Sequence, residues 1–464
     1  MKEITCKLLI IGAGPGGYVC AIRAGQLGLD TVLVEAKKPG GTCLNVGCIP
    51  SKALIHAAGE FEKLTRMAAG QSPLGISAKK PTLDLVRTML WKDSIVGRLT
   101  TGVSGLLKKA GVKIVVGWAK FRDGKTIEVE TEIGSQMIRA EVVVIATGSD
   151  AIELRSLPFG GRVISSTEAL ALTEVPSKLV VVGAGYIGLE LGTAFAKLGA
   201  KVTVVEALPL VLPQYDAELT RPVAKRLHDL GMEVLTGAKA KGLPSEDVLS
   251  VETAAGKTTM LAADKILVTV GRKPATEGWG LEAIDLDRDG PFIRIDERCR
   301  SSMRGVYAIG DVTGEPMLAH RAMAQGHMVA EIVAGHKRSW DKICVPAVCF
   351  TDPEIVSAGL SPEAARASGI EIKSALFPFR TNGRAMTLEN EGGFVRVVAR
   401  ADNHLLLGLQ AVGAGVAELS ASFSLALEMG ARLEDIAATI HAHPTQSEAF
   451  VEASLKALGH PLHL

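Results

Sequence analysis

The sequence predicts an α/β chain: two parallel-sheet units of one design, with a mixed segment behind them. Three observations predict it. The apolar run Leu8-Leu9-Ile10-Ile11 meets Gly12-Ala13-Gly14-Pro15-Gly16-Gly17. The pattern returns as Leu179–Val182 followed by Gly183-Ala184-Gly185-Tyr186-Ile187-Gly188. In both copies an acid, Glu35 or Glu206, ends the next apolar run 23 positions after the first glycine. A buried strand, G-x-G-x-x-G, a helix and a second strand ending in an acid make the βαβ dinucleotide fingerprint of a Rossmann unit. A lone copy reads equally as a glycine-rich turn. Two copies, each between strand and helix, read as two dinucleotide sites.

Each residue type has a reason. In the first copy Val19, Ala21, Ile22, Ala24 and Leu27 keep a helical period, and Thr31–Val34 is the second strand. Gly12 permits a tight turn, Gly14 lets backbone approach a pyrophosphate, and Gly17 lets the helix pack on the strand. The helix N-terminus offers unpaired N–H groups and a favourable dipole to phosphate. Glu35 is placed to accept hydrogen bonds from a ribose. Gly183, Gly185, Gly188 and Glu206 repeat these roles, with a helix running past Gly192 to Leu198 and a strand at Val202–Val205.

The connecting chain fills in the sheets. Val112–Val116 and Thr126–Glu130 read as strands split by an Asp123-Gly124 turn. Val142–Ile145 leads into Ala146-Thr147-Gly148, Lys265–Val270 into Gly271-Arg272, and Val306–Ile309 into Gly310-Asp311. An acid after such a strand suits a ribityl or phosphate contact at the carboxyl edge of a parallel sheet, or is a turn aspartate. Towards the end, Gly393–Ala399 and Leu405–Gln410 read as strands and Ala417–Glu428 as a helix.

Composition narrows the function. The 464 residues are 47% hydrophobic and 22% charged, as in ordinary globular chains. With 51 Lys+Arg against 50 Asp+Glu, the formal net charge is +1, so no global field holds nucleic acid or an anionic membrane. Glycine stands out at 50 residues against a usual share of about 7%. No apolar run reaches the roughly 18 residues that a membrane helix requires. Met1-Lys2 and Leu8–Ile11 lack a signal-peptide cleavage site, so the chain reads as cytoplasmic.

Seven cysteines, at 6, 20, 43, 48, 299, 344 and 349, do not form a secreted disulfide framework. Five read as core or incidental thiols. Cys43 and Cys48 stand apart, inside Gly40-Gly41-Thr42-Cys43-Leu44-Asn45-Val46-Gly47-Cys48-Ile49-Pro50-Ser51-Lys52, close behind the first acid. In one ideal helix their Cα atoms would lie about 8–9 Å apart, too far for a disulfide. A bridge would need a distorted turn, which Gly47 eases, and would be labile at a helix start. The other reading is two buried structural thiols. Zinc ligation fails for want of a second Cys/His pair at ligand spacing, and no metal site is expected.

Near the end, His441-Ala442-His443-Pro444-Thr445-Gln446-Ser447-Glu448 sets a histidine five residues before a carboxylate. It reads as a base with its orienting partner or as a surface-loop histidine.

Together these motifs resemble the flavin-dependent pyridine-nucleotide disulfide oxidoreductases along the whole chain. Within that family the sequence is most similar to the dihydrolipoamide dehydrogenases. The resemblance implies two Rossmann-like domains, binding FAD and NAD, plus a C-terminal α+β interface domain that makes a homodimer. It implies residues 1–150 and 275–344 for FAD, 151–274 for NAD and 345–464 for the interface. Cys43 would exchange with dihydrolipoamide and Cys48 would face the flavin. His443 and Glu448 would be base and partner, reaching the other subunit's disulfide. Lys52 would lie near the flavin, paired with Glu190. Asp311, Thr147, Gly148 and backbone around Leu318–His320, including Ala319, would contact FAD. Tyr186 would stand where nicotinamide enters, with Gly271 beside it. The implied partner is the lipoyl domain of an acyltransferase, or a glycine cleavage lipoyl protein, within a 2-oxo acid dehydrogenase complex. The overall pattern resembles enzymes serving bacterial branched-chain complexes.

Related activities are separable by residues. Glutathione reductases, the runner-up, usually take NADPH, whereas Glu206 repels a 2′-phosphate and no Arg or Lys lies between Glu206 and Tyr215. Mercuric reductases carry further C-terminal cysteines, which Gly459–Leu464 lacks. Soluble transhydrogenases lack the first cysteine, and large thioredoxin reductases add a C-terminal tail. A flavin-binding protein without catalysis would have no use for intact Cys43, Cys48, His443 and Glu448.

Overall fold

Strand β1 (Glu3–Ile11) is the spine of the first unit in a computed structural model that describes residues 3–463. Met1-Lys2, where the sequence begins, and Leu464, where it ends, lie outside the described residues. β1 pairs in parallel with β2 (Thr31–Glu35) through Leu8–Thr31 to Ile11–Val34 and, on its other side, with Gly134–Ile145. Helix α1 (Pro15–Gln26) makes the crossover between them. Lys113–Val116 extends the parallel sheet beyond β2. Val306–Ala308, from far along the chain, pairs in parallel with Gly134–Ile145. Most side chains of β1 and β2 are buried, as strands covered on both faces must be.

The second unit repeats the design. Glu233–Leu235, Lys201–Val205, Lys178–Val182, Lys265–Val268 and Val163–Ile164 form a five-stranded parallel sheet in that order. The helix Tyr186–Lys197 is its crossover. The last residues form a five-stranded antiparallel sheet, whose order is Ala347–Cys349, Glu354–Gly359, Leu406–Gly413, Phe394–Arg400 and Ile372–Pro378. The helices Ser420–Glu428 and Glu448–Leu458 cover it, with Phe423 and Phe450 edge to face at 5.2 Å.

Several elements differ from the sequence reading. Trp118–Phe121 is an added strand that runs antiparallel into Thr126–Thr131 and then Gly134–Ile145. The helix Cys48–Ala68 carries on well past the cysteine motif, and the helix Leu85–Lys109 occupies a stretch the motifs did not describe. The segment from Ala417 opens as a 3-10 turn, Val416–Leu419, before the helix Ser420–Glu428. One apolar cluster joins the bodies, from Leu54 and Ala58 through Leu189 and Phe195 to Cys349 and Ile355.

Candidate active site

Both fingerprints form the same turn. Gly12 has φ +98°, and a Cβ there would meet the Ala146 carbonyl oxygen at 2.4 Å; at Gly183, φ +103°, it would meet that of Thr269 at 2.6 Å. Gly17 and Gly188 sit so close to the turn that a Cβ would fall 1.8 and 2.2 Å from the carbonyl oxygens of Gly12 and Gly183. Only glycine fits these four positions. Both helices start without a side-chain cap, leaving their amides and positive dipole ends for an anion.

The acids lock the turns. Glu35 accepts from Ala13 N–H at 2.7 Å and Lys37 N–H at 2.8 Å. Glu206 accepts from Ala184 N–H at 2.6 Å and Leu208 N–H at 2.8 Å. Each carboxylate thus closes its own loop, and a ribose would share these oxygens. That duty was not legible from the acid's position alone.

The middle glycines provide the test of fit for FAD and NAD. A Cβ on Gly185 would meet nothing within 4 Å, and one on Gly14 only the Gly41 Cα at 4.0 Å. Backbone without side chains and an uncapped helix end fit a pyrophosphate in both units.

The thiols stand at a helix break. Helix α2 (Gly41–Val46) ends at Gly47, φ −138° and ψ −109°, and helix α3 (Cys48–Ala68) begins at once. The break brings Cys43 and Cys48 close enough for each to shift the other's acidity, which one continuous helix would not allow. Both are free thiols, Cys48 exposed and Cys43 half-buried. Their acidities diverge. The neighbouring Cys43 pulls Cys48 down to about 7, with Lys52 adding to it against the opposing effects of burial and Glu190. Cys48 and burial push Cys43 up. Burial raises Cys6, Cys20, Cys299 and Cys349 to about 12, which makes them inert.

Around the thiols the two units meet. Lys52 Nζ donates to Glu190 Oε2 at 2.7 Å, and Glu190 is 4% exposed. Asp311, in the turn after Val306–Ala308, accepts from Ser149 Oγ at 2.6 Å, and Arg272 Nε donates to that hydroxyl at 2.7 Å. Thr147 Oγ1 donates to the Ala275 carbonyl at 2.9 Å, and Ala275 N–H donates to that of Gly148 at the same distance. Gly271 turns with φ +131° just before Arg272. Ala319 opens the helix Ala319–Val333, again without a side-chain cap. The half-exposed Tyr186 phenol is pushed up to about 12, chiefly by desolvation.

His443 stands in the C-terminal segment, just ahead of the helix Glu448–Leu458. Its Nδ1 is 2.8 Å from Glu448 Oε1, while Glu448 Oε2 accepts from Thr445 N–H at 2.8 Å. The histidine side chain is 80% exposed. No hydrogen bond among the described residues joins it to Cys43 or Cys48. No group of three or more metal-ligating residues occurs among the described residues, and no described helix is long and apolar enough to cross a membrane.

Sequence reasoning missed three supporting residues. Ser149 bridges Asp311 and Arg272. Gln325 accepts from Gly310 N–H at 2.8 Å. Phe350 N–H donates to Glu190 Oε1 at 2.8 Å. No local pattern marks Ser149 or Phe350, because their partners lie more than a hundred positions away.

Known proteins are similar in sequence and fold. Residues 6–326 match the pyridine nucleotide-disulphide oxidoreductase family, and residues 345–454 match that family's dimerisation domain. The chain is 61% identical over 462 residues to the dihydrolipoyl dehydrogenase of Pseudomonas aeruginosa, covering 99% of each chain. It is 44% identical over 464 residues to that of Geobacillus stearothermophilus, covering 99% of this chain and 98% of the other. Among solved structures it resembles LpdA from Mycobacterium tuberculosis, with TM-score 0.88 and 26% identity over 98% of this chain and 99% of that one. It also resembles the HOCl-induced flavoprotein disulfide reductase RclA from Escherichia coli, with TM-score 0.85 and 26% identity over 97% and 99%.

Proposed function

The chain belongs to the pyridine nucleotide-disulphide oxidoreductase family, and we propose that it oxidises protein-bound dihydrolipoamide to lipoamide while NAD+ becomes NADH. The observation that carries this reading is the asymmetric thiol pair, with an acidic, exposed Cys48 beside Cys43 and Lys52.

The first unit would hold FAD through Gly12, Gly14, Gly17, Glu35, Lys52, Thr147, Gly148, Asp311 and the backbone at Ala319. The second would hold NAD through Gly183, Gly185, Tyr186, Gly188, Glu190, Glu206 and Gly271. When bound, FAD supplies a two-electron relay between the thiols and the nicotinamide. The chain's own residues perform the thiol exchange. Glu448 engages His443 through Nδ1, which leaves Nε2 to take the proton of a substrate thiol. The resulting thiolate attacks Cys43 Sγ in a Cys43–Cys48 disulfide, and Cys48 leaves as a thiolate, as its low pKa favours. The second substrate sulfur then attacks the first, Cys43 leaves, and the substrate departs as a cyclic disulfide. The two sulfur-bound protons end on His443 and Cys43. Cys43 is then a thiol and Cys48 a thiolate, and neither is in a disulfide, as in the structure.

Residues 1–150 with 275–344 form the FAD domain, 151–274 the NAD domain and 345–464 the interface. The pairing of Val306–Ala308 with Gly134–Ile145 supports the return to the first domain. The match to a dimerisation domain supports a homodimer, and the exposure of His443 supports its service to the partner's thiols. The donor is the lipoyl domain of an acyltransferase or of a glycine cleavage protein, in the cytoplasm.

One preparation decides the substrate. NAD+ reduction by dihydrolipoamide should be fast, and NADPH oxidation by glutathione disulfide at background. The reverse result would overturn the reading in favour of a glutathione-type reductase. For the subunit arrangement, mixing His443→Gln and Cys43→Ser chains should recover part of the activity in heterodimers. No recovery after demonstrated subunit exchange would place both groups in one chain.

A further inference from the structure

Two polar clusters beyond the thiols join the same three pieces of chain. The pieces are α3, the helix Tyr186–Lys197 and residues 349–353, which leave the C-terminal sheet. At the first level Glu190 accepts from Lys52 of α3 and from Phe350 N–H, and the Phe350 ring lies 4.4 Å from Lys52 Nζ. The second level lies ten residues further along α3, about 15 Å by helical rise. There Asp352 Oδ2 accepts from Lys197 Nζ and from Arg226 Nε, both at 2.8 Å. Glu62 of α3 faces Lys197 Nζ at 3.4 Å and accepts from Arg226 Nη2. Lys197 and Glu62 are 11% and 16% exposed, and Arg226 and Asp352 25% and 32%, so solvent screens these charges only in part. Burial pushes the Asp352 carboxyl up, and Lys197 and Arg226 more than reverse it.

The geometry has a mechanical consequence. The helix Tyr186–Lys197 carries its coenzyme end at Gly185 and Tyr186 and its second tether at Lys197. A helix behaves as a short rod, and fixing Glu190 and Lys197 fixes its direction. Arg226 extends the tether to the helix Ala217–Asp229 of the same unit. We propose that Asp352 is a positioning residue for the NAD+ half of the reaction: through Lys197 and Arg226 it sets the tilt of the helix Tyr186–Lys197 on α3. This rests on the reading of the second unit as the NAD site.

The test uses Asp352→Asn in the FAD-loaded dimer. kcat/KM for NAD+ should fall about tenfold, since small misplacements of reacting groups are felt strongly. Single-turnover reduction of the enzyme by dihydrolipoamide without NAD+ should keep its rate. Amide hydrogen exchange in peptides covering residues 186–197 should quicken, and Asp352→Glu should restore both properties. Unchanged NAD+ kinetics and exchange would overturn the proposal, as would an equal loss in both half-reactions. If Asp352→Asn does not fold, Glu62→Gln loosens the same cluster and is judged by the same readings. If dihydrolipoamide fails to reduce even the parent enzyme, the substrate reading falls. Anaerobic reduction by NADH and the exchange data would then still decide the role of Asp352.

Discussion

The two nucleotide units share a turn and differ in what lies over it. In the first, Gly14 faces the Gly40-Gly41 turn: a Cβ on Gly41 would lie 2.5 Å from the Gly14 Cα. On the flank of the same helix, a Cβ on Gly326 would fall 2.3 Å from the Gly16 carbonyl oxygen, so Ala319–Val333 packs directly on α1. In the second unit Gly185 has open space above it, and exposed Leu208 and Leu210 follow the acid. One fingerprint is enclosed by later chain and the other stays open. The enclosed site suits a group that stays, and the open one suits a group that comes and goes with each turnover.

The strongest way to break this comparison is a matched pair of glycine variants. Gly14→Val should yield protein with little flavin, because the side chain would fill the gap beneath Gly41. Gly185→Val should keep its flavin and lose about a hundredfold in kcat/KM for NAD+. Flavin content from the visible spectrum and steady-state kinetics read both. Loss of flavin from Gly185→Val would show that the sites are not separable.

The acids offer a smaller test. Glu35→Gln and Glu206→Gln each replace one charged acceptor of a backbone amide, worth about 1.5–3 kcal/mol. The loss should be greater at Glu206, which is only 8% exposed. Denaturant unfolding of the two variants measures it. Equal losses would mean that enclosure of the first site protects Glu35 as well as burial protects Glu206.

The smallest effect asks whether the second unit is felt at the first unit's thiols. Alkylation of reduced Cys48 should rise with pH through a midpoint near 7, since the thiolate is the reactive form. Lys52→Met should move the midpoint up and Glu190→Gln should move it down, because these charges act on Cys48 with opposite sign. Peptide mass spectrometry separates Cys48 from Cys43. A midpoint unmoved by Glu190→Gln would confine the thiol field to its own unit.

Legibility followed locality. Gly12 to Glu35, Gly183 to Glu206, Cys43 with Cys48 and His443 with Glu448 each lie within a few dozen positions, and a fixed spacing marks them. The strand Trp118–Phe121 was missed because a meander added to a parallel sheet has no signature beyond weak alternation. The helix Leu85–Lys109 carries Val86, Leu90, Leu99 and Leu106 on its exposed side, which blurs its period. Phe350 and Asp352 were legible only as members of the C-terminal segment. Their partners, Glu190, Lys197 and Arg226, are brought to them by the packing of three bodies.

The carboxylate locks of Glu35 and Glu206 have a thermodynamic consequence. They hold both glycine turns in their finished shape through protein hydrogen bonds alone. A loop that had to order around its ligand would charge that lost entropy against every binding event. Here the ordering is completed once, when the chain folds. A coenzyme that arrives and departs in each cycle meets a receptor already shaped, and its affinity can stay modest without becoming unselective.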